Sequence, residues 1–232
     1  MAKATSVRAR VRAEMTDEIK ETARRHLAEQ GASNLSLRAV AREVGMVSSA
    51  VYRYFESRDA LLTALIIDAY DALGDAAETA DAGCNPSDLV GRFESVCIAV
   101  RLWGLTHPHE YALTYGSPVP GYAAPQDTVG PALRVPLVLG GIVMAGARAG
   151  ILRAEAGDWL EPRVQAEMDR ITATQFPGVP LPVMARGLVA WTELFGAVSF
   201  EVFGRLTNVI EDREAWFSYQ VRTLTRLIGL RP

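Results

Sequence analysis

The stretch LSLRAVAREVGMVSSAVYRYFESRDALL, residues 35–62, decides how this chain is read. Behind Ser36, the apolar residues Leu37, Val40, Ala41 and Val44 recur at helical spacing, with Arg38 and Arg42 on the other face. Ser36 suits a helix N-terminus because its hydroxyl accepts a backbone N–H that the helix itself leaves unpaired. Gly45 permits a tight turn. A second short helix follows, with Met46 or Val47, Val51 and Phe55 expected against the core at steps of about four residues. Ser57 caps a third helix, with Asp59 in its first turn where the helix dipole favours an acid. That helix is expected to run through Leu61, Leu62, Leu65, Ile66 and Tyr70 to about Ala80.

The short middle helix is held from behind and polar in front. Its free face offers Ser48, Ser49, Tyr52 and Arg53, with Tyr54 beside them. Hydroxyls hydrogen-bond phosphates or base edges, arginine can fork onto guanine, and a phenol can reach the phosphate backbone. Ser36 places a hydroxyl and free amides where a phosphate could dock, and Arg58 adds a positional charge. A helix-turn-helix that enters a major groove has these two faces.

Working outward, residues 1–15 read as a basic arm carrying Lys3, Arg8, Arg10 and Arg12. The arm could reach the DNA backbone or minor groove, or serve as a solubilising tail. Thr16 or Asp17 is placed to cap the first clear helix, whose Ile19, Ala23, Leu27 and Ala28 keep helical spacing up to Gly31. Beyond the cassette, helical pattern is expected over residues 86–106, 108–115, 129–149, 158–174, 183–206 and 212–229. Pro131 and Pro136 should delay or kink the segment over 129–149. YGSPVPGYAAPQD, with three prolines and two glycines, can only be a loop. No segment shows strand periodicity and no internal repeat is evident. The fold class is therefore all-α: a three-helix head with a helix-turn-helix over residues 16–60, then a larger helical domain over 61–232.

Composition agrees with a globular chain: 49% hydrophobic and 22% charged residues over 232 positions. The first 60 residues hold 11 Lys+Arg against 8 Asp+Glu, whereas the remainder holds 13 against 19. A basic head on an acidic body suits a nucleic-acid-binding part joined to a part with another task. The longest charge-free apolar stretch, residues 135–147, is shorter than the ~20 residues a bilayer span needs. The N-terminus lacks an apolar signal-type core. The expected location is cytoplasmic, with no membrane partner.

Chemistry-bearing motifs are scarce. Cys84 and Cys97 make neither a disulfide framework nor a zinc site, so two unpaired thiols or a redox switch are the readings left. His107-Pro108-His109 is explained by a helix ending at a proline, with metal ligation as the alternative. His109-Glu110 is the one acid–base pair of note. There is no phosphate loop, dinucleotide fingerprint or nucleophile motif. No catalytic residue, cofactor or metal ligand is assigned.

The cassette resembles the DNA-binding head of the TetR-type transcriptional regulators. The shared string comprises a first helix ending at Gly31, then LSLRAVAREVG, VSSAVYRYF and SRDALL, covering residues 16 to about 66. The resemblance implies that Ser36, Arg38, Ser48, Ser49, Tyr52, Tyr54 and Arg58 contact double-stranded DNA. Tyr52 and Arg58 would grip phosphates, while Arg38, Ser48 and Ser49 would face bases. It also implies a homodimer through the last two helices, hence a palindromic operator. Trp191, Leu194, Val198, Val202, Phe217, Val221 and Leu224 are candidates for that seam or for internal core, with Gly196 and Ala197 allowing close approach. The strings RLWGLTHPHEYALTYGSPVPGYAAP and AWTELFG are similar to the WHG-type ligand-sensing domain, although Phe195 stands where the histidine of that name would fall. A small, largely apolar effector is then expected, with Trp103, His107, Tyr111, Tyr115, Met144 and Arg148 as candidate lining residues. The resulting expectation is a ligand-responsive regulator acting as a repressor. A constitutive DNA-binding or architectural protein and a helical enzyme remain the alternatives.

Overall fold

A helix needs an apolar stripe to bury and groups to satisfy its ends, and this chain supplies both repeatedly. In a computed structural model, which describes residues 7–155 and 157–231, ten α-helices and two 3-10 turns follow one another, and no strand occurs among the described residues. The helices are α1 (Val7–Gln30), α2 (Leu37–Glu43), α3 (Ser48–Val51), α4 (Arg58–Ala82) and α5 (Leu89–Thr106). They continue as α6 (Pro108–Tyr115), α7 (Val129–Arg148), α8 (Pro162–Gln175), α9 (Leu181–Val202) and α10 (Arg213–Ile228). The fold class read from the sequence is the one observed.

The chain divides into two compact units. The first runs up to Ala69 and includes His109–Val129. Its core is Ile19, Ala23 and Leu27 of α1, Leu37, Val40 and Ala41 of α2, Val51 and Phe55, and Leu61, Leu62 and Leu65 of α4. Tyr122, in the proline-rich loop, shares a hydrogen bond of 2.9 Å with Thr63 of α4. That bond fixes the loop within this unit.

The second unit comprises Tyr70–Pro108 and residues from Gly130 onward. Here α9 packs against α10, α5 and α8. Phe93, Val96 and Val100 of α5, Ile142 and Val143 of α7, Leu194 and Val198 of α9, and Val221 and Ile228 of α10 fill the interior. Gly140 of α7 lets the Phe176 ring lie where a β-carbon would stand, so the two segments meet closely.

Two local expectations change. Helix α1 is already formed at Val7, well before Thr16, whose hydroxyl donates to the Arg12 carbonyl one turn back (2.8 Å) as a mid-helix threonine does instead of capping. Residues 7–15 of the expected arm are thus helical, while Lys3 lies outside the described residues. Helix α7 continues through Pro136, and Pro131 sits in its first turn, where the missing N–H would be unpaired anyway. By length and composition α7 and α9 could each cross a bilayer. Each nonetheless carries an ion-paired charge, Arg134 on α7 and Glu201 on α9.

Candidate nucleic-acid interface

The helix-turn-helix is built from short-range chemistry. Ser36 caps α2, its hydroxyl accepting the Ala39 N–H at 3.4 Å. Gly45 ends the helix at φ 78°, a left-handed conformation that glycine adopts without steric cost. The Met46 N–H then donates to the Ala41 carbonyl (2.8 Å), turning the chain into α3. Val51 and Phe55 bury on the inner side, and the Phe55 N–H donates to the Val51 carbonyl (3.0 Å). Ser57 caps α4 by accepting the Ala60 N–H at 3.0 Å. The sequence expectations for these caps hold.

Ion pairs stiffen the frame behind the two helices. Glu43 at the end of α2 meets buried His26 at 2.7 Å and accepts from Arg25 at 2.9 Å. The hydrogen bond with His26 first, and then that with Arg25, hold the Glu43 carboxyl below the usual glutamate range. Asp68 of α4 accepts from Lys20 (2.9 Å) and Arg24 (2.6 Å) of α1.

The eight residues expected at DNA sort into two groups. Arg38, Ser48, Ser49, Tyr52 and Arg53 are exposed, and neither Arg38 nor Arg53 forms an ion pair among the described residues. Arg42 shares that condition and extends the cationic surface. The other three are engaged within the chain. Ser36 is the cap just described. Arg58 is not a free cation: its guanidinium donates to the carbonyls of Ala32 (2.8 Å), Leu35 (3.2 Å) and Ser33 (3.4 Å), and to Asp59 at 3.1 Å. It ties the start of α4 to the turn before α2. Tyr54 lies under Arg12, whose guanidinium sits 5.2 Å from the ring centre while donating to the Arg53 carbonyl at 2.7 Å. Arg12, expected in a free arm, instead docks α1 onto the end of α3.

One apolar position departs from expectation. Helical spacing allows Val47 against the core, but it is 71% exposed, whereas Met46 is half-buried and Val51 fully buried. In the sequence, Met46 and Val47 compete for one inward slot, and only the turn geometry at Gly45 decides between them.

Comparison with known proteins matches this frame. Residues 19–65 match the model of bacterial regulatory proteins of the tetR family, and residues 93–224 match the tetracyclin repressor-like C-terminal domain. The chain is 38% identical over 221 residues to the HTH-type transcriptional regulator Rv1816 of Mycobacterium tuberculosis, covering 94% of both chains. The chain belongs to the TetR family. It is therefore a transcriptional regulator with a helix-turn-helix, not an enzyme. The crystal structure of SCO4313, described as a regulatory protein, is 35% identical and superposes with a TM-score of 0.77 over 94% of this chain and 98% of that one. The TetR family regulator PfmR from Thermus thermophilus, at 17% identity and a TM-score of 0.60 over 93% of this chain and 100% of that one, shares the fold.

Outside the head, the expected residues of this TetR-family chain scatter. Buried Trp103 stacks on His107 with ring centres 5.1 Å apart in the second unit. Tyr111 and Tyr115, also 5.1 Å apart, belong to the first unit. Met144 is half-buried and Arg148 exposed on α7. A groove of about 460 Å³ is lined instead by Val209–Asp212, Ala215, Trp216 and Tyr219, none of them expected from sequence.

Of the seam candidates, Leu194, Val198, Phe217, Val221 and Leu224 are buried within the single chain, as the internal-core alternative requires. Trp191 and Val202 are half-buried. The apolar residues that α9 and α10 leave exposed are Leu188, Val189, Phe200, Phe203, Tyr219 and Leu227. Gly196, among them on α9, has open space where a side chain would stand.

Proposed function

We propose that this regulator is a repressor that binds a palindromic operator as a homodimer and is released by a small, largely apolar effector. The observation that carries the reading is the exposed face of Arg38, Ser48, Ser49, Tyr52 and Arg53. These groups stand on α2, on α3 and in the turn that follows it, a frame fixed by capping, by Arg58 and by the Arg12–Tyr54 contact. In this reading Arg38, Ser48, Ser49 and Arg53 meet base edges or phosphates and Tyr52 meets the backbone, while Ser36, Tyr54 and Arg58 hold the surface in register.

The dimer seam is proposed along Val189, Gly196 and Phe200 of α9, Phe203 at its C-terminal end, and Tyr219 and Leu227 of α10. Val189, Gly196, Phe200 and Phe203 recur at steps of three to seven and so share one face. Phe200, at 56% exposure, is a large apolar group that a partner would cover. Two copies present two recognition helices, and half-sites about one helical turn apart follow from that symmetry.

The effector is proposed to act on the second unit, where Trp103, His107, Met144 and Arg148 remain the candidate contacts. The indole N–H of Trp191 is buried without an acceptor among the described residues. A ligand oxygen would satisfy it. Such a ligand shifts DNA affinity only by its differential affinity for the two body states. A cytoplasmic site of action follows from the role.

The test is selection of duplexes from a random library by the purified full-length protein, followed by mass measurement of the complex. A recovered inverted repeat bound by two chains is expected. Recovery of no common sequence would overturn the reading in favour of architectural DNA binding, and one chain per duplex would remove the dimer from it.

A further inference from the structure

Val47 occupies the N-cap of α3 in extended conformation (φ −66°, ψ 139°) and makes no capping hydrogen bond. N-cap positions favour Ser, Thr, Asp or Asn, whose side chains accept an orphan helix N–H. A branched hydrocarbon there gives up that bond. Packing does not compensate for it, since the side chain is 71% exposed. Its neighbours are exposed Ser48 and Ser49, with Arg53 one turn further on. An isopropyl group thus stands at the leading end of a polar, cationic surface.

Resting on the DNA-reading face proposed above, we infer that Val47 reads the 5-methyl group of a thymine in each half-site. The major groove presents donors and acceptors at every base pair, but a single apolar group, the thymine methyl. Against a phosphate or a guanine edge, valine would desolvate polar atoms without bonding to them. Against a thymine methyl, two hydrocarbon surfaces leave water together. Ser48 and Ser49 beside it supply hydroxyls for adjoining polar groups, so Val47 sets the preference for thymine over cytosine at one position.

The experiment uses the full-length protein and the operator it selects from a random duplex library. Deoxyuridine, which lacks only the methyl, replaces thymine at one symmetric pair of positions at a time, and Kd is measured by fluorescence anisotropy. For wild type, one pair of positions should lose about fourfold per methyl, or about fifteenfold with both half-sites changed. Val47→Ala and Val47→Ser should bind the thymine and uracil duplexes equally, and Val47→Ile should keep the discrimination. Val47→Ala should melt within error of wild type, because the side chain supports no core contact, and Val47→Ser should melt no lower, since its hydroxyl can cap α3. If wild type selects an operator yet no uracil substitution separates it from Val47→Ala, the inference is overturned while the DNA-reading face stands. If wild type shows no sequence preference at all, the proposed function itself falls.

Discussion

The exposed face of the helix-turn-helix and the packed interior of the helical body use arginine in opposite ways. On α2 and in the turn after α3, Arg38, Arg42 and Arg53 are exposed and have no carboxylate partner among the described residues. In the body, Arg101 of α5 forks onto Glu201 of α9, with both contacts at 2.7 Å, and its guanidinium stands 5.1 Å from the centre of the Phe217 ring of α10. Arg134 of α7 reaches Asp71, Asp75 and Glu78 of α4 together. Hydrogen bonding to Arg134 holds Glu78 below the usual glutamate range. An arginine saturated by carboxylates binds helices to each other, whereas an unsaturated one on a rigid support is open to an external anion. Charge count alone does not distinguish these conditions.

The largest effect expected comes from breaking the body's pair. Glu201 is 5% and Arg101 13% exposed at the side chain, so Glu201→Ala leaves a mostly buried guanidinium uncompensated. A loss of about 3 kcal/mol is expected, seen as a fall of about 6–12 °C in melting temperature. Replacing both partners by methionine should restore much of that loss. Equal melting of wild type and Glu201→Ala would show the pair to be incidental.

Arg58 lies between the two uses, a head residue spent on the chain itself. Arg58→Ala should lower stability by about 2 kcal/mol, as expected for a charged hydrogen-bond donor removed from its acceptors, and should weaken DNA binding through loss of register. Weakened binding at unchanged melting temperature would return Arg58 to the group that faces phosphates. Arg53→Ala is the opposite case: about 1–3 kcal/mol of binding lost at each half-site with the melting temperature kept. A parallel loss of stability would place Arg53 in the frame.

A smaller effect concerns pH. Because Glu43 titrates lower in the folded chain than in the unfolded one, its stabilising contribution is complete above the ordinary glutamate value of about 4.3 and vanishes as pH falls through the lowered folded value. The melting-temperature gap between wild type and Glu43→Gln should therefore close on acidification below about pH 4. A gap that widened in acid would contradict the carboxylate's role. The smallest expected signal is chemical: burial pushes the Cys97 thiol well above its ordinary range. Alkylation of the native protein at pH 8 should modify half-buried Cys84 and spare Cys97, and labelling of both would indicate an open α5.

Much of the head is legible in the sequence because its signals are local. Ser36, Gly45 and Ser57 act on backbone groups a few residues away, so sequence spacing alone assigns them. Arg58 and Arg12 are not, because their partners, the 32–35 carbonyls and the Tyr54 ring, are distant in sequence; a cation near a helix start reads the same whether it holds a phosphate or a carbonyl. Helical periodicity likewise locates the apolar stripes of α9 and α10. It does not separate Leu194, which buries against its own chain, from Phe200, which does not, since both kinds of burial demand the same residues. The body's contact residues are the least legible, as Trp103 and Tyr111 satisfy core packing as well as they would a ligand.

The central claim is that the unpaired arginines of α2 and of the turn after α3 read DNA. Its most direct test is the salt dependence of binding to the selected operator and to a scrambled duplex, for wild type and for the Arg38→Ala, Arg53→Ala double variant. Wild type should prefer the operator, its log affinity should fall linearly with log salt, and the double variant should bind more weakly with a shallower slope, by about one for each phosphate contact removed. Equal affinity for both duplexes, or a double variant with the wild-type affinity and slope, would contradict the account.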